Sequence, residues 1–113
     1  DGANLMKMYC ERDDRRMFVA CETSESMVEE VVLGCCAVKK GMDEHKEEPE
    51  SDIASIWSMS VDEQHRGTGV ATKLMEECEK FAKSDLQCKR MGLWTLNPVL
   101  VQVLLLEQVL VLL

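Results

Sequence analysis

Runs of apolar and β-branched residues mark out three strands before any helical period begins. Arg16-Met-Phe-Val-Ala-Cys21 and Val31-Val-Leu-Gly-Cys-Cys-Ala-Val38 are separated by the polar Glu22 to Glu30 segment, which suits an antiparallel hairpin with the two strands paired directly. Gly41 to Asp52 carries Asp43, Glu44, Glu47, Glu48, Glu50 and Asp52 around Pro49 and reads as a solvated, mobile connection. Ile53-Ala-Ser-Ile-Trp-Ser-Met-Ser-Val61 gives a third strand, with Ile53, Trp57, Met59 and Val61 mostly on one face.

From Val70 the period changes. Ala71, Leu74, Met75, Cys78, Phe81 and Ala82 recur every three or four residues, the pattern of an amphipathic helix. Glu76 with Lys80 and Glu79 with Lys83 add i,i+4 pairs on its wet face. After a short Ser84 to Arg90 connection, Met91-Gly-Leu-Trp-Thr-Leu96 forms a fourth strand. Strand, crossover helix and strand predict a βαβ unit with its two strands parallel. Beside the hairpin this makes a mixed α/β sheet, with the helix N-terminus at the carboxyl end of the third strand, where ligands sit in open α/β sheets.

The turn between that strand and the helix, within Val61 to Met75, holds the candidate chemistry. Gly67 and Gly69 allow a sharp turn and close backbone approach, and the first N–H groups of the helix point at whatever anion sits there. The spacing excludes Walker A, which needs G-x-x-x-x-G-K-[ST], and the dinucleotide fingerprint G-x-G-x-x-G, because position 72 is Thr72. Arg66-x-x-Gly69-x-Ala71 remains. Gln64-x-x-Gly67-x-Gly69 has the same letters, but the Arg66 register starts the helix where the apolar period starts. His65 reads as an exposed loop residue with no partner to tune it, and Trp57 and Trp94 as core aromatics.

Composition narrows the function. The chain has 113 residues, 46% of them hydrophobic, enough for one small domain. A net charge of −8 without a basic stripe argues against nucleic acid as a partner. Six cysteines, with no C-x-x-C pair and no histidine at zinc-ligand spacing, point away from a metal site and toward reduced core thiols. The start, Asp1-Gly2-Ala3-Asn4, lacks an initiator Met and a signal peptide and looks like an excerpt. Pro98 to Leu113 is almost wholly Val and Leu, yet shorter than the roughly 20 residues that span a bilayer. This tail is a diverged amphipathic helix, a membrane-facing segment, or a misread or truncated end. In each case its Val and Leu side chains favour self-association.

The Arg66-x-x-Gly69-x-Ala71 loop, preceded by a strand ending Met59-Ser-Val61 and followed by its helix, resembles the pyrophosphate-binding signature [QR]-x-x-G-x-[GA] of the GNAT acetyltransferase superfamily. The likeness covers roughly Arg16 to Asn97. It implies a GNAT-like α/β fold, a mixed sheet with a central crossover helix, truncated at both termini. Residues 1–97 would be the partial acetyl-CoA-binding core and 98–113 an apolar tail outside the family pattern. Glu-Gln-His-Arg-Gly, with Phe-Val-Ala and Val-Leu-Gly in the hairpin, is most similar to the camello-type N-acetyltransferases. Those relatives carry a membrane segment ahead of the catalytic domain, which implies a cytoplasm-facing location on an internal membrane of the secretory pathway, through segments outside this chain.

Carried over by position, the resemblance implies that the backbone of Met59, Ser60 and Val61 binds the pantetheine arm of acetyl-CoA. The amides of Arg66, Gly67, Thr68, Gly69, Val70 and Ala71, with the Thr72 hydroxyl, would hold the pyrophosphate, and Asn97 ends the cofactor-binding set. It implies direct attack of an amine, of a small molecule or peptide, on the thioester. Some relatives place a basic Glu on the third strand. Here that position is Ile53, with Asp52 adjacent as the candidate base. The family's tyrosine acid has no counterpart after Asn97, since the single tyrosine is Tyr9. The alternative is a catalytically silent acetyl-CoA-binding or interaction module.

Overall fold

The computed structural model describes residues 5–23, 30–94 and 100–105, and of Trp94 and the last of these segments only the backbone. The two apolar runs form the expected hairpin, β2 (Arg15–Glu22) against β3 (Val31–Lys40), antiparallel from Arg15↔Lys39 to Glu22↔Val31. β3 pairs antiparallel with β4 (Ile53–Val61), and α1 (Val70–Ser84) leads to β5 (Arg90–Trp94), which lies parallel to β4. Two further strands complete a six-stranded sheet in chain order. β1 (Leu5–Arg12) pairs antiparallel with β2, and β6 (Leu100–Leu105) pairs antiparallel with β5. This is the mixed α/β sheet with a crossover helix that the residue pattern predicts.

One face of α1 makes the core. Val70, Leu74, Cys78, Phe81 and Ala82 are buried against Phe18 and Ala20 of β2, Leu33, Cys36 and Val38 of β3, and Ala54 and Ile56 of β4. Phe18 and Phe81 meet edge to face with centroids 6.3 Å apart, and the Arg16 guanidinium lies 4.4 Å above the Phe81 ring, a cation–π contact that takes a charge to the margin of the core. The Cys36 and Cys78 thiols touch at 3.5 Å. Hydrogen bonding to Cys36, added to burial, pushes the Cys78 thiol far up, so both sulfurs serve as packing groups.

Several expectations change. Strand β1 is absent from the residue reading because its outer half, through Glu11 and Arg12, is exposed and lacks a clean apolar alternation. It is an edge strand, and its Lys7 pairs with Glu30. On α1, Glu79 is buried rather than wet, and desolvation raises its carboxyl. Lys80 pairs with Glu77 at 3.2 Å instead of Glu76. The acidic 41–52 connection is tied down: the Gly41 N–H donates to the Ile53 carbonyl at 2.7 Å, the Asp43 N–H to a Glu48 carboxylate oxygen at 2.8 Å, and Arg12 to Glu47 at 2.8 Å. Finally, the Val/Leu-rich tail begins as a strand, with Leu100↔Trp94 to Leu105↔Arg90 in register against β5.

The change in β4 bears on the site. Between Ala37↔Trp57 and Cys35↔Ser60, β4 uses three residue steps for two of β3, and Ser58 takes a left-handed φ of 57°. This is a β-bulge, and one inserted residue moves everything beyond it to the opposite face. Ala54 and Ile56 face α1 before the bulge, and Met59 and Val61 pack on the same core after it. Trp57 therefore does not share a face with Met59 and Val61. Its indole N–H donates to the Ser55 hydroxyl at 2.6 Å, which in turn donates to the Gly41 carbonyl at 2.6 Å.

Candidate functional site

The bulge shapes the carboxyl end of β4. Pairing with parallel β5 runs from Ile53↔Arg90 to Ile56↔Leu93, so the described ladder ends just before the bulge. On the other side β4 stays attached to β3, through Gly34↔Val61 and an Asp62 N–H donating to the Leu33 carbonyl at 2.7 Å. Gly34 is required here: a Cβ on it would lie 2.6 Å from the Ser60 carbonyl oxygen. The Cys35 thiol, which burial pushes up and keeps protonated, lies 3.7 Å from the Ser58 carbonyl as a weak donor to the bulge. Met59 to Val61 thus lie past the described β4–β5 ladder while the strand remains anchored to β3.

After Val61 the chain makes a 3-10 turn over Glu63–His65 and reaches α1 through Arg66, Gly67, Thr68 and Gly69. Gly67 and Gly69 have φ of 80° and 88°, the left-handed region that favours glycine, and a Cβ at either would meet nothing within 4 Å. That side of the loop is open. Gly69 is the helix N-cap residue and offers no side chain to cap it; the first turn has no acidic residue. The first hydrogen bond of the helix runs from the Lys73 N–H to the Gly69 carbonyl, which leaves the N–H groups of Val70, Ala71 and Thr72 outside the ladder, with the positive end of the helix dipole behind them. Such a terminus holds an anion.

These pieces line one cleft of about 470 Å³. Of the residues singled out in the sequence it is lined by Met59, Ser60, Val61, Arg66, Gly67, Gly69, Val70, Ala71 and Thr72. Thr68 lies in the same loop, where its hydroxyl donates to the His65 carbonyl. Asn97 lies outside the described residues. The helix starts at Val70, as the Arg66 register requires. Arg66 is exposed, and its Nε donates to the Val61 carbonyl at 3.4 Å, a long bond that leaves the outer guanidinium nitrogens toward solvent.

Asp52 is not brought to this cleft. It precedes β4 at the opposite end of the strand, about 25–30 Å away along a nine-residue strand. The Arg90 guanidinium donates to its carboxylate at 2.7 Å and holds it below the usual carboxylate range. Its carbonyl also accepts the N–H groups of Lys89 and Arg90. In this position Asp52 fastens the start of the β4–β5 pair. Tyr9 lies on edge strand β1, three strands from β4.

A residue that the sequence reading set aside lines the cleft. His65 is there, its side chain 28% exposed, and its Nδ1 lies 2.8 Å from an Asp62 carboxylate oxygen. The signal was an Asp three residues before a His, which a 3-10 turn brings side by side.

The model of the acetyltransferase (GNAT) family matches residues 2–107. The chain belongs to the acetyltransferase (GNAT) family. Among solved structures it is similar to a nourseothricin acetyltransferase, with a TM-score of 0.59 and 22% identity over 83% of this chain and 48% of that one. It is also similar to a GNAT-family acetyltransferase from Staphylococcus aureus Mu50, with a TM-score of 0.55 and 13% identity over 74% of this chain and 44% of that one. A Mycobacterium tuberculosis protein in complex with CoA gives a TM-score of 0.52 and 23% identity over 72% and 42%. At these identities the likeness establishes the fold, and the chain spans less than half the length of each of these structures. No curated protein matches it in sequence. GNAT acetyltransferases take acetyl-CoA as co-substrate. The cleft fits the diphosphate of such a molecule: open glycine faces, unbonded helical N–H groups and one arginine converge on it.

Proposed function

We propose that the chain binds acetyl-CoA in this cleft and serves the transfer of its acetyl group to an amine of a small molecule or peptide. The observation that carries the reading is the convergence of the uncapped α1 N-terminus, the open faces of Gly67 and Gly69 and the Met59 to Val61 end of β4 on one cleft. A diphosphate is met by the amides from Arg66 to Ala71, the Thr72 hydroxyl and the Arg66 guanidinium. The backbone of Met59, Ser60 and Val61, past the described β5 ladder, would hold the pantetheine arm as an added strand is held. Acetyl-CoA supplies the activated acetyl group. The amine nitrogen forms a bond to the thioester carbonyl carbon, the C–S bond breaks, and the proton lost by the nitrogen balances the one taken by the departing thiolate. The chain's own contribution is alignment, and alignment supplies much of the rate of such a reaction.

A second reading is favoured by where the candidate acid and base lie. Asp52 is engaged by Arg90 at the far end of β4, and Tyr9 is on the far edge of the sheet. A module that binds acetyl-CoA without turnover needs neither. Calorimetric titration with acetyl-CoA, followed by thiol release against a panel of amines, separates the two: release supports transfer, binding without release supports the silent module, and no binding contradicts both. Arg66→Ala should weaken binding about ten-fold through the lost charge-assisted contact.

Two finer readings rest on the residues alone, one by resemblance and one by composition. The Glu-Gln-His-Arg-Gly stretch supports a camello-type enzyme, which would face the cytoplasm at an internal membrane of the secretory pathway. Co-sedimentation with microsomes of the chain together with the segments that flank it tests this, and recovery of that longer protein wholly in the supernatant opposes it. Among the described residues no helix is long and apolar enough to cross a membrane. Self-association through the Val/Leu-rich 98–113 segment is supported by composition, and a monodisperse monomer by light scattering at high concentration contradicts it.

A further inference from the structure

Packing does not hold the glycine loop. From Asp62 to Gly69 no residue is buried, and only His65 is part-buried. Val70, 1% exposed, is the first side chain to re-enter the core. Fixing the backbone of one residue costs about five- to thirty-fold in an equilibrium, and a glycine gives up more freedom than any other residue. A loop that keeps Gly67 and Gly69 at φ of 80° and 88° therefore needs something other than apolar contact to stay in one shape.

What it has is a run of hydrogen bonds that starts in the core. The Asp62 N–H donates at 2.7 Å to the carbonyl of Leu33, a fully buried residue of β3. The Asp62 carbonyl accepts the His65 N–H at 2.9 Å, and an Asp62 carboxylate oxygen lies 2.8 Å from His65 Nδ1. The His65 carbonyl accepts the Thr68 hydroxyl. From Asp62 onward each link spans three residues, so the run tethers the loop to β3 and ends on the residue between the two glycines.

The last link decides what the Thr68 side chain is for. A hydroxyl carries one proton, and Thr68 gives it to the His65 carbonyl. Diphosphate oxygens only accept, so in this geometry the hydroxyl has nothing left to donate to them.

We infer that Thr68 is a positioning residue for acetyl-CoA: its hydroxyl, through His65 and Asp62, holds the glycine loop in its cradle shape before the cofactor arrives. This rests on the reading of the cleft as a diphosphate cradle. Without the bond the loop samples other shapes, and apparent affinity falls with the fraction of molecules in the competent one. One solvated hydrogen bond shifts such an equilibrium about two- to ten-fold. Because the loop buries no side chain of its own, the loss stays within it and does not reach the core.

The test titrates the full chain calorimetrically with acetyl-CoA and measures backbone amide relaxation at Gly67 and Gly69 in the ligand-free protein. Thr68→Val keeps the shape of the side chain and removes its donor; Thr68→Ser keeps the donor. Thr68→Val should bind about five-fold more weakly with an unchanged thermal midpoint. Its two glycine amides should fall from the order parameter of rigid backbone, about 0.85, to below about 0.6. Thr68→Ser should restore both affinity and order. Asp62→Ala, which keeps the backbone links and removes the carboxylate, should loosen the same amides by less. Weaker binding by Thr68→Val with both amides as rigid as in the wild type would put the hydroxyl on the ligand and overturn the inference. Unchanged binding, or a fall in thermal midpoint that Thr68→Ser does not reverse, would overturn it too. No binding by the wild type overturns the cradle itself, while the relaxation data still show whether Thr68 orders the loop.

Discussion

At its start β4 is closed. Asp52 takes the Arg90 guanidinium on its carboxylate and two backbone N–H groups on its carbonyl, and Ile53 to Ile56 pair with β5 on one side while Ala54 to Trp57 pair with β3 on the other. At its far end β4 is open. Met59 to Val61 keep β3 but lie beyond the β5 ladder, and they run into a loop whose glycines face empty space and a helix whose first amides lie outside its ladder. The two ends share a strand, a sheet and a core. They differ by one inserted residue, Ser58, which shifts the strand's phase and lets Met59 and Val61 rejoin the core. The difference teaches that the candidate site gathers at the end of the strand that runs past the described β5 ladder, while the other end is held on both sides.

Deleting Ser58 should have the largest effect. It removes the bulge, turns Met59 and Val61 off the core at about 3 kcal/mol, and abolishes acetyl-CoA binding; a thermal melt and a binding titration on the same sample check both. Gly34→Ala comes next, because the new Cβ would meet the Ser60 backbone oxygen at 2.6 Å, which no flexible side chain can relieve. A cost of about 2 kcal/mol, or a fall in Tm of about 10 °C, is expected. Gly69→Ala meets nothing in space and suffers only its φ of 88°, about 1 kcal/mol; the misdirected amides should cost about ten-fold in acetyl-CoA affinity. Asp52→Asn should be the mildest, with affinity unchanged. Because Arg90 depresses the Asp52 carboxyl in the folded state, its stabilising contribution is present above the ordinary aspartate range and lost as pH falls through the depressed value. The variant's melting curve should lack that part of the acid dependence. A large loss of turnover in Asp52→Asn with binding intact would return a catalytic role to this residue and break the contrast between the two ends.

Much of this was legible in the residues. The hairpin and the change to a helical period at Val70 are carried by apolar spacing, and the spacing survives because α1 and the inner sheet face bury the same side chains. The register of the loop could be read because the helix begins where its apolar face begins, at Val70. The bulge was visible only as a change of parity, from Ala54 and Ile56 to Met59 and Val61, masked by the serines between them. Edge strand β1 was not legible, since half of it faces water and the period-2 signal depends on a buried face. The Asp62–His65 pair was missed because a 3-10 turn is too short to announce itself by periodicity. Asp52 drew attention by its place in the chain, but a neighbour 38 residues on, Arg90, decides what it does.

The contrast between the ends of β4 is tested most directly by following backbone amide resonances of isotope-labelled protein as acetyl-CoA is added. The expected result is large shifts at Gly67, Gly69, Val70 and Ala71, smaller ones at Met59 to Val61, and none at Asp52, Lys89 and Arg90. Shifts centred on Asp52 and Arg90, or none at the glycine loop with acetyl-CoA in excess, would contradict the account.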